Sequence, residues 1–134
     1  EERYFLVGLV MHVERATTDY LEGTLDSLAA SELALTSRVL GARSLVVVRD
    51  ASSPPSRVFL AAERRFGANP LFRFDKSGSA RRAPERRRTT RSQSRDVAAA
   101  VRSLFATTPH FAYALLLEDD WVACRGLVSS IVLG

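Results

Sequence analysis

Tyr113-Ala114-Leu115-Leu116-Leu117-Glu118-Asp119-Asp120-Trp121 is an apolar run that ends abruptly in three acids. The run is too short to span a membrane and lacks helical periodicity, so it predicts a strand buried on both faces. Three adjacent carboxylates repel one another, and a fold that sets them at the end of a core strand needs a reason to do so. In open α/β sheets, ligands bind outside the carboxyl ends of the strands. Clustered carboxylates there suit a hard divalent cation, and the cation suits a phosphate. The bland reading is a solvated acidic turn. The strand before the acids and the pattern of the rest of the chain weigh against it.

Working outward, the 134 residues fit a single domain, 1–134. The composition, 46% hydrophobic and 25% charged, is that of a globular chain. No segment is apolar for long enough to cross a bilayer, and Glu1-Glu2-Arg3-Tyr4 does not resemble a secretory signal. Cys124 is the single cysteine, so no internal disulfide forms, and a small buried hydrophobe is its expected role. With two separated histidines, His12 and His110, and one cysteine, there is no zinc spacing. The net charge is +4, and Lys76 is the only lysine. An arginine-rich balance admits nucleic acid, anionic membrane or phosphate ligands without choosing among them.

Tyr4–Met11 and Ser44–Arg49 are two further apolar runs of β-formers, each predicting a buried parallel strand. His12, Val13, Glu14 and Arg15 read as the loop after the first, where His12 either approaches a ligand or is a plain loop histidine. Asp19 and Glu22 resemble a capping box, followed by Tyr20, Leu21, Thr24, Leu25 and Leu28 at helical spacing. The stretch Ser31–Leu40 is ambiguous, with Gly41 as a stop. Asp50 ends the second strand before the loop Ala51-Ser52-Ser53-Pro54-Pro55. Val58, Phe59, Ala62 and Phe66 mark a second helix closed by Gly67, and Asn69-Pro70 turns the chain into a short strand, Leu71–Phe74.

Residues 75–91 break the pattern and read as a basic, mobile loop carrying Lys76, Arg81, Arg82, Arg86, Arg87 and Arg88. Ser94 reads as the cap of a third helix with Val97, Val101, Leu104 and Phe105 as its buried stripe, ended by Thr107-Thr108-Pro109. His110 reads as a surface residue. Trp121 either stacks on a sugar or fills the core beneath the acidic turn. The apolar segment Leu127–Leu133 reaches the last residues, which suggests a truncated fold. Alternating strands and helices predict an α/β chain with a mainly parallel sheet. No Walker or dinucleotide-binding glycine loop is present, nor a Gly-x-Ser-x-Gly elbow.

Three stretches resemble the N-terminal, donor-binding half of the N-glycan-branching N-acetylglucosaminyltransferases of the GlcNAc-transferase IV type. The first is Val7-Gly8-Leu9-Val10-Met11 with Arg15, Asp19-Tyr20-Leu21 and Thr24-Leu25-Asp26-Ser27-Leu28. The second is Gln93-Ser94-Arg95-Asp96, and the third is Leu116-Leu117-Glu118-Asp119-Asp120, similar to that family's form of the DxD motif. A related group that galactosaminylates GPI anchors shares the last two. The arginine run between Ser79 and Arg91 departs from the family pattern.

The resemblance implies a GT-A-like, Rossmann-like three-layer α/β/α fold and a metal-dependent, inverting transfer of a sugar from a UDP-sugar to a glycan or glycoprotein acceptor. The sugar would be GlcNAc or a related hexosamine. It implies that Asp120 ligates Mn²⁺ or another divalent cation, and that Glu118 and Asp119 hold the ribose or a metal-bound water. Asp50 would face the base, with Arg15 and Asp96 completing the donor pocket. It also implies residence in the Golgi or secretory-pathway lumen, with any membrane attachment through a segment outside this chain. No residue offers itself as the catalytic base, so transfer by this chain alone is not expected. The rival readings are a non-catalytic fragment and a basic module that binds phosphates or nucleic acid. Against the latter, the arginine run lacks interleaved aromatics, and the acids would repel a polynucleotide. Single-stranded and duplex oligonucleotides should therefore bind weakly, with an affinity that falls steeply with added salt. Tight, sequence-dependent binding at physiological salt in a fluorescence-anisotropy titration would favour the nucleic-acid module instead.

Overall fold

The structure, a computed structural model, describes residues 4–12, 20–30, 43–50, 56–76, 90–107 and 110–118, with the backbone alone at 43 and 90–96. The elements run β1 (Tyr4–His12), α1 (Leu21–Ala29), β2 (Arg43–Asp50), α2 (Arg57–Phe66), β3 (Phe72–Asp75), α3 (Thr90–Thr107) and β4 (Phe111–Glu118). The four strands form one sheet in the order β3-β2-β1-β4, and every pairing is parallel. Each connection between strands carries a helix, as parallel pairing requires. The result is a Rossmann-like α/β arrangement in which strand order reverses at β1: β2 and β3 follow on one side, and β4 returns to the other.

The alternation of side chains along β1 explains the layering. Leu6 and Val10 face one side with Val46 and Val48 of β2, Phe72 of β3 and Leu117 of β4. There they pack against Leu21, Leu25 and Leu28 of α1 and Phe59, Ala62 and Phe66 of α2. Val7 and Leu9, with Leu45 and Val47, face the other side and meet Ala100 and Leu104 of α3. A strand covered on both faces must be apolar throughout, which is why β1 and β2 read as unbroken runs. The α1/α2 layer is knit by edge-on aromatic pairs, Phe59 with Phe74 at 5.6 Å and Phe66 with Phe72 at 5.4 Å. Such pairs add about 0.5–1.5 kcal/mol each beyond area burial.

Local chemistry sets the ends of α2. Ser56 is its N-cap, extended in backbone, and its hydroxyl accepts the Val58 N–H at 3.2 Å. At the other end the Gly67 N–H donates to the Glu63 carbonyl at 2.8 Å, and a Cβ at Gly67 would lie 2.5 Å from that oxygen. Only glycine fits so close an approach. The Asn69 side chain then accepts the Leu71 N–H at 3.0 Å, an Asx turn that leads into β3. On the surface Arg65 joins α2 to α1 through Glu22 at 3.5 Å and Asp26 at 2.8 Å. With all three side chains well exposed, these pairs contribute about 0–1 kcal/mol.

Several expectations from the sequence are corrected. The strand before the acids is not buried on both faces. Among the described residues β4 is an edge strand, with Leu116 52% and Tyr113 40% exposed. Leu116 lies on the α3 side and Tyr113 on the α1/α2 side, so among the described residues each face of β4 is incompletely covered. His12 is the last residue of β1 and not part of a loop. Tyr20 is the N-cap of α1, without a side-chain capping bond, and is 47% exposed, so it is no part of the buried stripe. Glu22 bonds Arg65, not a helix end, and Asp19 lies outside the described residues. The basic segment is shorter than 75–91, since Asp75 closes β3 and α3 already begins at Thr90. Ser94 is therefore inside α3, not its cap. The stripe of α3 is centred on Ala100 and Leu104, while Phe105 is 56% exposed and stacks obliquely on Phe111 at 5.4 Å. The expectations for Val13–Arg15, Ser31–Gly41, Arg81–Arg88, Trp121, Cys124 and Leu127–Leu133 also fall outside the described residues.

The exposure contrast along β4 makes a direct test. Leu117→Ala should cost about 2–5 kcal/mol, as for other buried leucines. Its neighbour Leu116→Ala should change stability by no more than about 0.5 kcal/mol. Urea unfolding of both variants against the parent reads the difference.

Candidate functional site

At the carboxyl end of the sheet the strands turn from apolar to polar at one level. His12 of β1 lies opposite Asp50 of β2, Arg49 of β2 opposite Asp75 of β3, and Met11 of β1 opposite Glu118 of β4. Residues opposite one another on parallel strands share a face. The polar level thus divides in two, with His12 and Asp50 on the α1/α2 side and Arg49, Asp75 and Glu118 on the α3 side.

The α1/α2 side holds a buried polar chain. The Ser56 N–H donates to Asp50 Oδ2 at 2.8 Å, and Ser56 Oγ lies 3.0 Å from His12 Nε2. All three residues are essentially inaccessible: Asp50 is 0%, Ser56 1% and His12 3% exposed. Burying such groups is unfavourable unless they are bonded, and among the described residues no buried side-chain polar atom lacks a partner. Asp50 and Ser56 bracket the stretch 51–55, so the carboxylate–amide bond joins its two ends. Because Ser56 also caps α2, one residue ties together the end of β1, the end of β2 and the start of a helix.

On the α3 side Arg49 donates to Asp75 at 3.0 Å, with side chains only 10% and 22% exposed. The carboxylate cannot be removed without leaving a largely buried guanidinium unpaired, an imbalance that costs more than the pair itself contributes. Arg73, one register step back, donates to Thr107 Oγ1 at 3.0 Å and fastens the end of α3 to β3. Lys76, at the start of the basic segment, reaches back to Glu63 at 3.0 Å.

Of the residues singled out in the sequence, the described structure puts Glu118 exposed at the end of β4 and Asp50 buried at the end of β2. They are two strands apart, about 10 Å from backbone to backbone, and on opposite faces. Asp96 falls within α3, and its side chain lies outside the description, as do Arg15, Asp119 and Asp120. Among the described residues no three His, Cys, Asp or Glu side chains group closely enough to hold a metal ion. The carboxylate of Glu118 is nonetheless the hard oxygen donor that Mn²⁺ or Mg²⁺ takes. His110 is exposed, and its carbonyl accepts the Tyr4 N–H at 3.0 Å.

Ser56 and the Arg49–Asp75 pair were not singled out in the sequence. A serine directly before the helical stripe of Val58, Phe59 and Ala62 is the signal that marks Ser56 as a cap. Its link to His12, 44 residues away, has no local signature. Neither a protein-family model nor a curated protein matches the chain.

Ser56→Ala removes both the helix cap and the bond to His12. It should cost about 1–3 kcal/mol, a cap of about 0.5–2 plus a buried hydrogen bond of about 1. Ser56→Thr keeps the oxygen and should cost clearly less. Thermal or urea denaturation distinguishes them.

Proposed function

We propose that the chain is the donor-binding part of a metal-dependent glycosyltransferase with a GT-A-like fold. The donor is a UDP-sugar, GlcNAc or a related hexosamine, and the acceptor is a glycan. The observation that carries this reading is the position of Glu118. It is exposed at the carboxyl end of β4, beside β1, where strand order reverses. Ligands of open α/β sheets bind in the crevice outside such a reversal, and Asp119 and Asp120 follow Glu118 directly in the sequence.

In this reading Asp120 ligates the metal, with Glu118 and Asp119 holding the ribose or a metal-bound water. Arg15 and Asp96 are assigned to the donor pocket, whereas Asp50, 0% exposed and bonded to the Ser56 N–H, does not touch the base and is given a structural role. A bound Mn²⁺ supplies positive charge to the diphosphate as it leaves. The chain's own arginines supply the same kind of stabilisation by hydrogen bonding and charge. Inverting transfer also requires a base that takes the proton of the acceptor hydroxyl, typically worth ~10²–10⁴-fold in rate. No described residue is positioned for that role, and acceptor activation is assigned to no residue of this chain. The reading places the protein in the lumen of the secretory pathway.

The test is calorimetric titration of UDP with and without Mn²⁺, on the parent and on Asp120→Ala. UDP binding should require Mn²⁺ in the parent and be lost in the variant. Equal, metal-independent binding by both would overturn the proposal.

A further inference from the structure

We propose that Arg49 is an oxyanion-binding residue, whose guanidinium takes the phosphate oxygens of a diphosphate with its metal held at Glu118. This rests on the reading of the carboxyl edge as the site of a metal-bound diphosphate, and it names the residue that meets the anion. Arg49 lies one residue before the end of β2, opposite Met11 of β1 on one side and Asp75 of β3 on the other. Met11 in turn lies opposite Glu118 of β4. Asp75, Arg49, Met11 and Glu118 thus form one row across the sheet, on the α3 side.

The guanidinium is anchored and still has donors to spare. Arg49 is 8% exposed, and its Nη1 donates to Asp75 at 3.0 Å. Among the described residues no other group bonds it. A guanidinium carries five N–H donors and is always charged. No buried side-chain polar atom among the described residues lacks a partner. The nitrogens that Asp75 does not engage, Nε and Nη2, therefore reach solvent. Folding alone does not call for this arrangement, because a well-packed apolar pair in place of a largely buried ion pair is often as stable or more so. What the pair does supply is a planar cation whose direction is fixed before any ligand arrives.

The surroundings suit an anion. Phe105, near the end of α3, stacks on Phe111 at the start of β4, so the helix runs antiparallel to the strands. Its Ala100 and Leu104 pack with Leu45 and Val47, on the face that Arg49 shares. The 18 residues of α3 make a helix about 27 Å long, which brings its first turn to the level of the carboxyl edge. A helix N-terminus offers unpaired N–H groups and partial positive charge to an anion. Met11, packed against the α3-side cluster, gives the row an uncharged middle. Two strand spacings, about 10 Å, separate β2 from β4. A diphosphate can bridge that gap, with metal–oxygen bonds of about 2 Å at one end and charge-assisted hydrogen bonds of about 2.7–2.9 Å at the other. The forked donors of arginine match phosphate oxygens, and a pre-organised fork loses less freedom on binding than a lysine does.

The experiment titrates inorganic pyrophosphate and UDP by calorimetry in the presence of Mn²⁺, on the parent, Arg49→Gln, Arg49→Lys and the double variant Arg49→Gln/Asp75→Asn. Thermal melts of each protein run alongside. Arg49→Gln should weaken pyrophosphate binding by about ten- to a hundredfold, the worth of a hydrogen bond to a charged group. Arg49→Lys keeps the charge without the fork and should lose less. The double variant leaves no charge unpaired, so it serves where Arg49→Gln does not fold, and the same loss is expected of it. A folded Arg49→Gln or double variant that binds pyrophosphate as the parent does would overturn this inference and leave the UDP-sugar reading standing. A parent that binds pyrophosphate through Arg49 but not UDP would uphold the anion site and overturn that reading. A parent that binds neither would overturn both.

Discussion

Strand β1 is hydrogen-bonded along both of its edges, to β2 on one side and β4 on the other. That double pairing is the constraint from which the rest of the structure follows. A strand inside a parallel sheet has helices over both faces, so neither face can be polar along its length. Leu6 and Val10 therefore serve one layer while Val7 and Leu9 serve the other. The two layers are built from unlike material. Helices α1 and α2 lie together on one side and interlock large aromatics with β3, whereas on the other side the described contacts come from Ala100 and Leu104 of α3. Among the described residues, Leu116 of β4 lies on this second side and is 52% exposed.

The same constraint decides where polar chemistry can enter. Along β1, β2 and β4 the apolar layers persist until the last one or two residues, and then His12, Arg49, Asp50 and Glu118 arrive at one level with Asp75 of β3. Each buried member has an engaged partner: Asp50 with Ser56, Ser56 with His12, Arg49 with Asp75. Glu118 differs in being exposed. The result is a sheet edge whose β2 side is internally satisfied and rigid, and whose β4 side presents a carboxylate to water.

Much of the fold was legible because it depends on local periodicity. The continuous runs of β1 and β2 and the helical spacing of Leu21, Leu25 and Leu28, or of Phe59, Ala62 and Phe66, are direct consequences of which faces are covered. The turn at Asn69-Pro70 and the stop at Gly67 are equally local. What the sequence misled on is the exposure of β4. Leu115, Leu116 and Leu117 are alike in type, and burial on both faces was inferred from that likeness. Among the described residues their difference follows the face each takes, Leu115 and Leu117 toward the α1/α2 layer and Leu116 toward the α3 side. Phe105 is the companion error, since it sits at stripe spacing yet is 56% exposed beside Phe111. The polar chain was invisible for another reason: His12 and Ser56 are 44 positions apart, and they meet because the parallel register sets His12 opposite Asp50, which in turn holds Ser56. Of the site residues, Asp50 and Glu118 were legible as strand ends, while their placement on opposite faces was not.

The exposure of β4 bears on the chemistry proposed for its end. Had Leu116 and its neighbours been covered on both faces, Glu118 would emerge from a desolvated setting. A carboxylate there would carry a solvation penalty unless already paired. Among the described residues it is exposed at the end of an edge strand and stays hydrated. Divalent cations such as Mg²⁺ dehydrate reluctantly and are held by one or two carboxylates together with substrate phosphates and retained waters. An exposed acidic strand end can keep those waters. The rigid, internally bonded β2 end and the hydrated β4 end are thus complementary. In the proposed reading, the hydrated β4 end is where water gives way to the charged part of the ligand.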